Sequence, residues 1–151
     1  MKNRLFLLAI LLSAFAVIGL GQAPAVSDAD RDAIKATALD YIEGWYEANA
    51  ERMERALHPD LAKRIVRTSP QGQSMLGQMS AMGLVQGVKR GGGKDTPKEK
   101  QLKDVTILDV FGNAASVKVV ASDWIDYLHI AKWNGRWVIV NVLWEMKPPS
   151  K

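Results

Sequence analysis

Chemistry is concentrated in one short run, Trp124-Ile125-Asp126-Tyr127-Leu128-His129. The run reads as part of a strand, so its side chains alternate. Tyr127 and His129 then share one face and Asp126 takes the other. A phenol and an imidazole two residues apart stand about 7 Å from each other along a strand. Such a pair can hold a polar ligand or move a proton. It can equally serve as a hydrogen-bonded network in a core or at a dimer face. Placing Tyr127 inward, together with Ile125 and Trp133, makes Tyr127 and His129 the expected site. With the opposite face inward the site moves to Asp126 and Trp124.

Other reactive types are sparse. The chain has no cysteine, which removes thiolate nucleophiles, thiolate metal ligands and disulfides. His58 and His129 are its two histidines. They lie far apart in sequence without a carboxylate at ligand spacing, so no metal site is expected. His58 precedes Pro59 at an expected helix end, where it can cap the last carbonyls or pack. Gly91-Gly92-Gly93-Lys94-Asp95-Thr96 has the look of a phosphate loop. Val88 stands where its first glycine belongs, and Asp95 replaces the hydroxyl residue after the lysine. The stretch reads as a hinge or linker. Trp45, Trp124, Trp133, Trp137 and Trp144 are numerous for a chain of 151 residues, and some are expected to line a pocket where a flat ring can stack.

The elements that must position these groups begin after an export-type segment. Lys2 and Arg4 precede an uncharged apolar run, Leu5 to Leu20, and small residues follow. This is the pattern of a signal peptide, with cleavage expected after Gly21 or after Ala25. The run is short for a membrane span, and no stable membrane insertion is expected after cleavage. Localisation is therefore expected to be periplasmic or secreted. About 130 residues remain, enough for one domain, expected over 27–147. Of the 20 basic residues, 18 remain without Lys2 and Arg4, against 16 acidic ones. That balance gives no case for nucleic acid binding.

Ser27, followed by Asp28 and Asp30, starts a first helix whose apolar stripe is Ile34, Ala38, Tyr41, Ile42 and Trp45. A second helix carries Met53, Ala56 and Leu57 and stops at His58-Pro59. Asp60 to Arg67 reads as a turn or short extended piece. Ser69-Pro70 opens an expected third helix to Arg90, with Met75, Met79 and Met82 on one face and glycines that soften it. From Leu102 the period becomes two. Turns at Gly112-Asn113, near Ser122 and at Asn134-Gly135 join four strands into an antiparallel meander. The fold class is α+β, with helices on one face of a curved antiparallel sheet.

Four stretches carry a family likeness: Ala38 to Tyr46, Leu57 to Arg64, Asp126 to His129 and Gly135 to Trp144. The chain resembles the putative lumazine-binding family within the nuclear transport factor 2-like (cone-shaped α+β) superfamily. The resemblance implies a pocket between a concave sheet and the first helices, and a flat heterocyclic ligand. It implies ligand-binding roles for Tyr127 and His129, and for Asn141 in the Trp137-to-Asn141 ending. Tyr41 and Trp45 are the expected lining residues from the first helix. Steroid-isomerase-like members carry a catalytic tyrosine near the position of Tyr41 and a carboxylate base after the second helix. Here that region reads Lys63-Arg64-Ile65-Val66-Arg67, with no acid.

The expected function is therefore binding of a planar small molecule, without a cofactor and without an evident catalytic base. The alternatives are a small isomerase or lyase using Tyr127 and His129, and a structural partner of another exported protein. A homodimer through the sheet is expected, with Trp124, Leu128 and Ile130 forming the exposed patch.

Overall fold

The structure, a computed structural model, describes residues 26–148. The expected signal segment lies outside the described residues. Helix α1 spans Asp28–Tyr46 and α2 Ala50–Ala56; strands β1 and β2 span Leu57–Thr68 and Ser74–Ser80. Helix α3 follows at Ala81–Lys89, then a short 3-10 turn at Lys98–Lys100. Strands β3 (Lys103–Phe111), β4 (Ala114–Ala121), β5 (Trp124–Trp133) and β6 (Arg136–Met146) complete the chain.

Local chemistry explains the helix starts. Ser27 caps α1 by accepting from the Asp30 amide at 3.1 Å, and Asn49 caps α2 by accepting from the Arg52 amide at 3.1 Å. Helix α1 lies against the sheet with Ile34, Ala38, Tyr41 and Ile42 buried, as its stripe predicts. Asp40, Glu43 and Glu47 on its other side gather Arg52, which also ties α1 to α2.

The sheet has six strands in the order β2-β1-β6-β5-β4-β3. The meander β3 to β6 is as expected, and the helices cover one face. Two features differ from the sequence reading. First, Leu57 to Thr68 is a full strand, and it pairs parallel to β6, so the sheet is mixed rather than antiparallel. Second, the expected helix from Ser69 is split. Residues 74–80 form β2 on the sheet edge, and only Ala81–Lys89 is helical, capped by Ser80. Met75 and Met79 therefore sit on a strand and Met82 on a helix, not on one helical face.

A bulge between β5 and β6 decides what faces inward. His129 pairs with Asn141 but Ile130 pairs with Ile139, leaving Val140 as the extra residue. Past it the parity of β6 reverses. Ile139, Val142 and Trp144 belong to the core side, while Asn141 and Leu143 point away. On β5 the core side is Asp126, Leu128 and Ile130. Leu128 and Ile130 are thus interior residues of the core cluster and not the exposed patch expected for a dimer, and Trp124 packs against that cluster, half-buried.

Candidate functional site

Three strands and one helix bring an ion pair into the core. Lys63 projects inward from β1, between Leu61 and Ile65, and is 4% exposed. Asp126 projects from β5 and is fully buried. The Lys63 ammonium donates to Asp126 Oδ1 at 2.5 Å and to the Tyr41 hydroxyl at 2.6 Å. Tyr41 donates in turn to Asp126 Oδ2 at 3.2 Å, and the Trp124 indole N–H donates to the same oxygen at 2.6 Å. Both carboxylate oxygens are therefore occupied. The ammonium also lies 4.7 Å from the Trp144 ring centroid and 5.3 Å from that of Tyr41, within cation–π range.

Burial sets the electrostatics. It pushes the Tyr41 phenol well above its ordinary value, and the neighbouring Asp126 charge adds to the rise. Burial also pulls the Lys63 ammonium down, against the opposing attraction of Asp126. The pair persists because each charge is matched by the other and by neutral donors and acceptors.

Above this cluster lies a cavity of about 260 Å³, walled by Trp45, Trp124, Trp144 and Leu84, with Met79, Met146 and Asp123 toward its mouth. Wider depressions beside Gly92 and Pro97, and beside Thr37 and Arg136, are more open and hold no buried ionisable group. The glycine run read as a linker serves this wall. A Cβ on Gly93 would overlap the Trp45 indole, and Gly92 has φ +48° and sits against the Trp45 carbonyl. Trp45 and Trp124 meet edge to face at 6.1 Å between ring centroids.

The expected site residues divide between the two faces of the sheet. Tyr41 and Trp45 line the cavity. Tyr127, His129 and Asn141 do not. Tyr127 is 45% exposed on the outer face. His129 contacts Asn141 at 3.3 Å, and Asn141 accepts from Arg64 at 3.1 Å. The three lie near one another as expected, but outside the cone. The inward groups are Asp126 and Trp124, the alternative open in the sequence. His58 packs edge to face on Trp133 at 4.9 Å and accepts from the Asp60 amide, rather than capping α2. Among the described residues no three His, Asp or Glu side chains gather as a metal site.

Sequence reasoning missed Lys63 as a site residue. The signal was present: alternation places Lys63 between Leu61 and Ile65 on the apolar side of β1.

A family model described as putative lumazine-binding matches residues 29–145. The chain belongs to the putative lumazine-binding family. The match includes every residue of the buried cluster and the cavity wall except Met146. Among solved structures, an NTF2-like protein of unknown function from Methylobacillus flagellatus is similar over 85% of this chain and all of its own. It is 21% identical, with a TM-score of 0.66. An NTF2-like protein of unknown function from Shewanella baltica covers 82% of this chain and 98% of its own at 18% identity and TM-score 0.61. A ketosteroid isomerase-like protein from Erwinia carotovora is similar over 82% of this chain and all of its own, at 12% identity and TM-score 0.52. At these identities the likeness is one of fold, and it agrees with the NTF2-like class read from the sequence. No curated protein matches the chain.

Proposed function

We propose that this protein binds a planar aromatic or heteroaromatic molecule in the cavity above Lys63, without turning it over. The observation that carries the reading is the cavity's make-up. Three tryptophans and a tyrosine offer flat stacking surfaces around one buried polar cluster, which is the usual plan of a small-molecule site. The family description points to the same ligand class.

Binding is favoured over catalysis by the state of Asp126. Asp126 is fully buried and its oxygens already accept from Lys63, Tyr41 and Trp124, so its charge is matched within the cluster, which disfavours its taking a substrate proton. The acid–base alternative built on Tyr127 and His129 loses support, because both lie across the sheet from the cavity. Export remains our reading of the first 21 residues. It is tested by the N-terminus of the exported form, expected at Gln22 or Val26.

The binding test is a titration with lumazine followed by tryptophan fluorescence, since Trp45, Trp124 and Trp144 report on the cavity. Native mass spectrometry of the protein from its own cells runs beside it. Saturable quenching, weakened by Trp45→Leu, is the expected result. No quenching by lumazine or by simpler flat heterocycles, with no co-purifying molecule, overturns the reading.

A further inference from the structure

A second lobe of about 160 Å³ lies over the paired strands β1 and β2 and shares Lys63, Met79 and Trp144 with the first cavity. Residues Leu61, Lys63, Ile65 and Arg67 alternate along one face of β1, so Arg67 lies about 13 Å beyond Lys63 on the same row. Gly77 stands opposite Ile65 on β2, and a Cβ there would come within 3.1 Å of the Ile65 side chain. The absence of a side chain at Gly77 keeps this lobe open.

The two lobes differ in chemistry. The first is apolar apart from the closed cluster, and its carboxylate, Asp123, is near the mouth. The second is rich in uncommitted donors. The Lys63 ammonium has three N–H groups, of which Tyr41 and Asp126 take two. The Trp144 indole N–H is buried with no partner among the described residues, an unfavourable state that an arriving acceptor would relieve. Gln78 alternates with Gly77 and Met79 and turns its side chain to the outer face, where its carbonyl accepts from Arg64. Arg67 makes no ion pair and no side-chain hydrogen bond among the described residues. Donors alone, two of them cationic, match a group that only accepts and is negatively charged.

We propose that the ligand is an aromatic carboxylate, with its ring in the first lobe and its carboxylate in the second, between Lys63, Trp144 and Arg67. This rests on the reading that the first lobe takes a planar ring. It adds the charge of the ligand, its orientation and Arg67 as the residue that selects for it. Met79, an adaptable side chain, lines both lobes.

The test is calorimetric titration of the protein with 2-naphthylacetate and with 2-naphthylacetamide, which match in shape and differ in charge. The acid is expected to bind roughly five-fold more tightly, the scale of one partly exposed ion pair. That preference is expected to shrink as salt is raised, and to fall toward one in Arg67→Gln. Equal binding of acid and amide by the unaltered protein overturns the inference while leaving the ring site intact. So does an acid preference that survives Arg67→Gln. If neither compound binds, the reading of the first lobe fails, and this inference with it.

Discussion

The two faces of β5 carry the same kinds of residue to opposite ends. Inward, Asp126 is fully buried and touches Lys63, Tyr41 and Trp124. Outward, Tyr127 and His129 are exposed, and the contact recorded for the pair is that of His129 with Asn141. Polar groups one residue apart in sequence thus differ in whether water can replace a lost partner. Inside, each hydrogen bond substitutes for hydration that the fold has removed, and its loss leaves a charge stranded. Outside, water takes the place of any partner removed. The inner face is therefore expected to be intolerant of single changes and the outer face permissive.

The largest expected effect breaks the ion pair. Asp126→Ala strands the Lys63 ammonium in the core and should lower stability by about 3–5 kcal/mol, read from urea or thermal denaturation. Lys63→Met strands the carboxylate and should act in the same direction. The double variant, Asp126→Leu with Lys63→Met, should cost less than either single change, because no unmatched charge remains. If Asp126→Ala proves as mild as a surface substitution, the inward cluster does not exist as described.

This contrast also marks what the sequence could and could not reveal. The α1 stripe, the Asn134-Gly135 turn and the four-strand meander follow from local periodicity and turn chemistry, and they appear as expected. On β5 a period of two defines two faces without naming the buried one. The apolar count favoured the correct face: Trp124, Leu128 and Ile130 accompany Asp126, while Tyr127 and His129 lie opposite. The functional appeal of the Tyr–His pair pointed the other way. On β6 the reversal comes from a single extra residue, Val140, and no local composition marks that bulge. Where β2 stands, Met75, Met79 and Met82 fall at helical spacing behind a Ser-Pro start and favour a helix. Pairing with Ala62 to Thr68 of β1 outweighs that local preference. Lys63 joins the site only because β1 runs parallel to β6, a long-range pairing that no short motif encodes.

A smaller effect tests the neutral member of the cluster. Tyr41→Phe removes one acceptor from Lys63 and one donor to Asp126 while keeping the ring in the cavity wall. A loss of about 1–2 kcal/mol is expected, since the ion pair itself survives. A loss as large as that of Asp126→Ala would mean that the phenol, rather than the charge match, holds the cluster together.

The next effect is confined to acid pH and sets a partly exposed carboxylate beside the buried one. Asp30 at the start of α1 accepts from Lys132 at 2.8 Å and from the Trp137 indole at 2.9 Å, tying the helix to the β5–β6 hairpin. The Lys132 hydrogen bond, then those from Trp137 and Ser27, lower its pKa from 3.8 to about 2. A carboxylate whose pKa is depressed on folding stabilises the fold above its unfolded value, and that contribution disappears as pH falls through the folded one. The contribution should thus be complete above about pH 4 and lost toward pH 2. Denaturation midpoints measured across this range should fall less steeply in Asp30→Asn than in the unaltered protein. Identical slopes would show that the tie is not maintained in solution.

The smallest expected effect lies on the outer face, where the sequence placed the site. Tyr127→Phe and His129→Ala should each change stability by no more than about 0.5 kcal/mol, the usual range for exposed positions without a committed network. Tyr127 has no hydrogen-bonded partner through its hydroxyl among the described residues, and its ring is nearly half exposed. His129 touches Asn141 at 3.3 Å, a contact that water can replace. Neither residue lines the cavity, so lumazine quenching should have the same midpoint in both variants. The readout separates the two faces directly. A weakened midpoint in either variant, with stability unchanged, would place the ligand on the convex side, beside Arg64 and Asn141. The inner cluster would then be a structural ion pair.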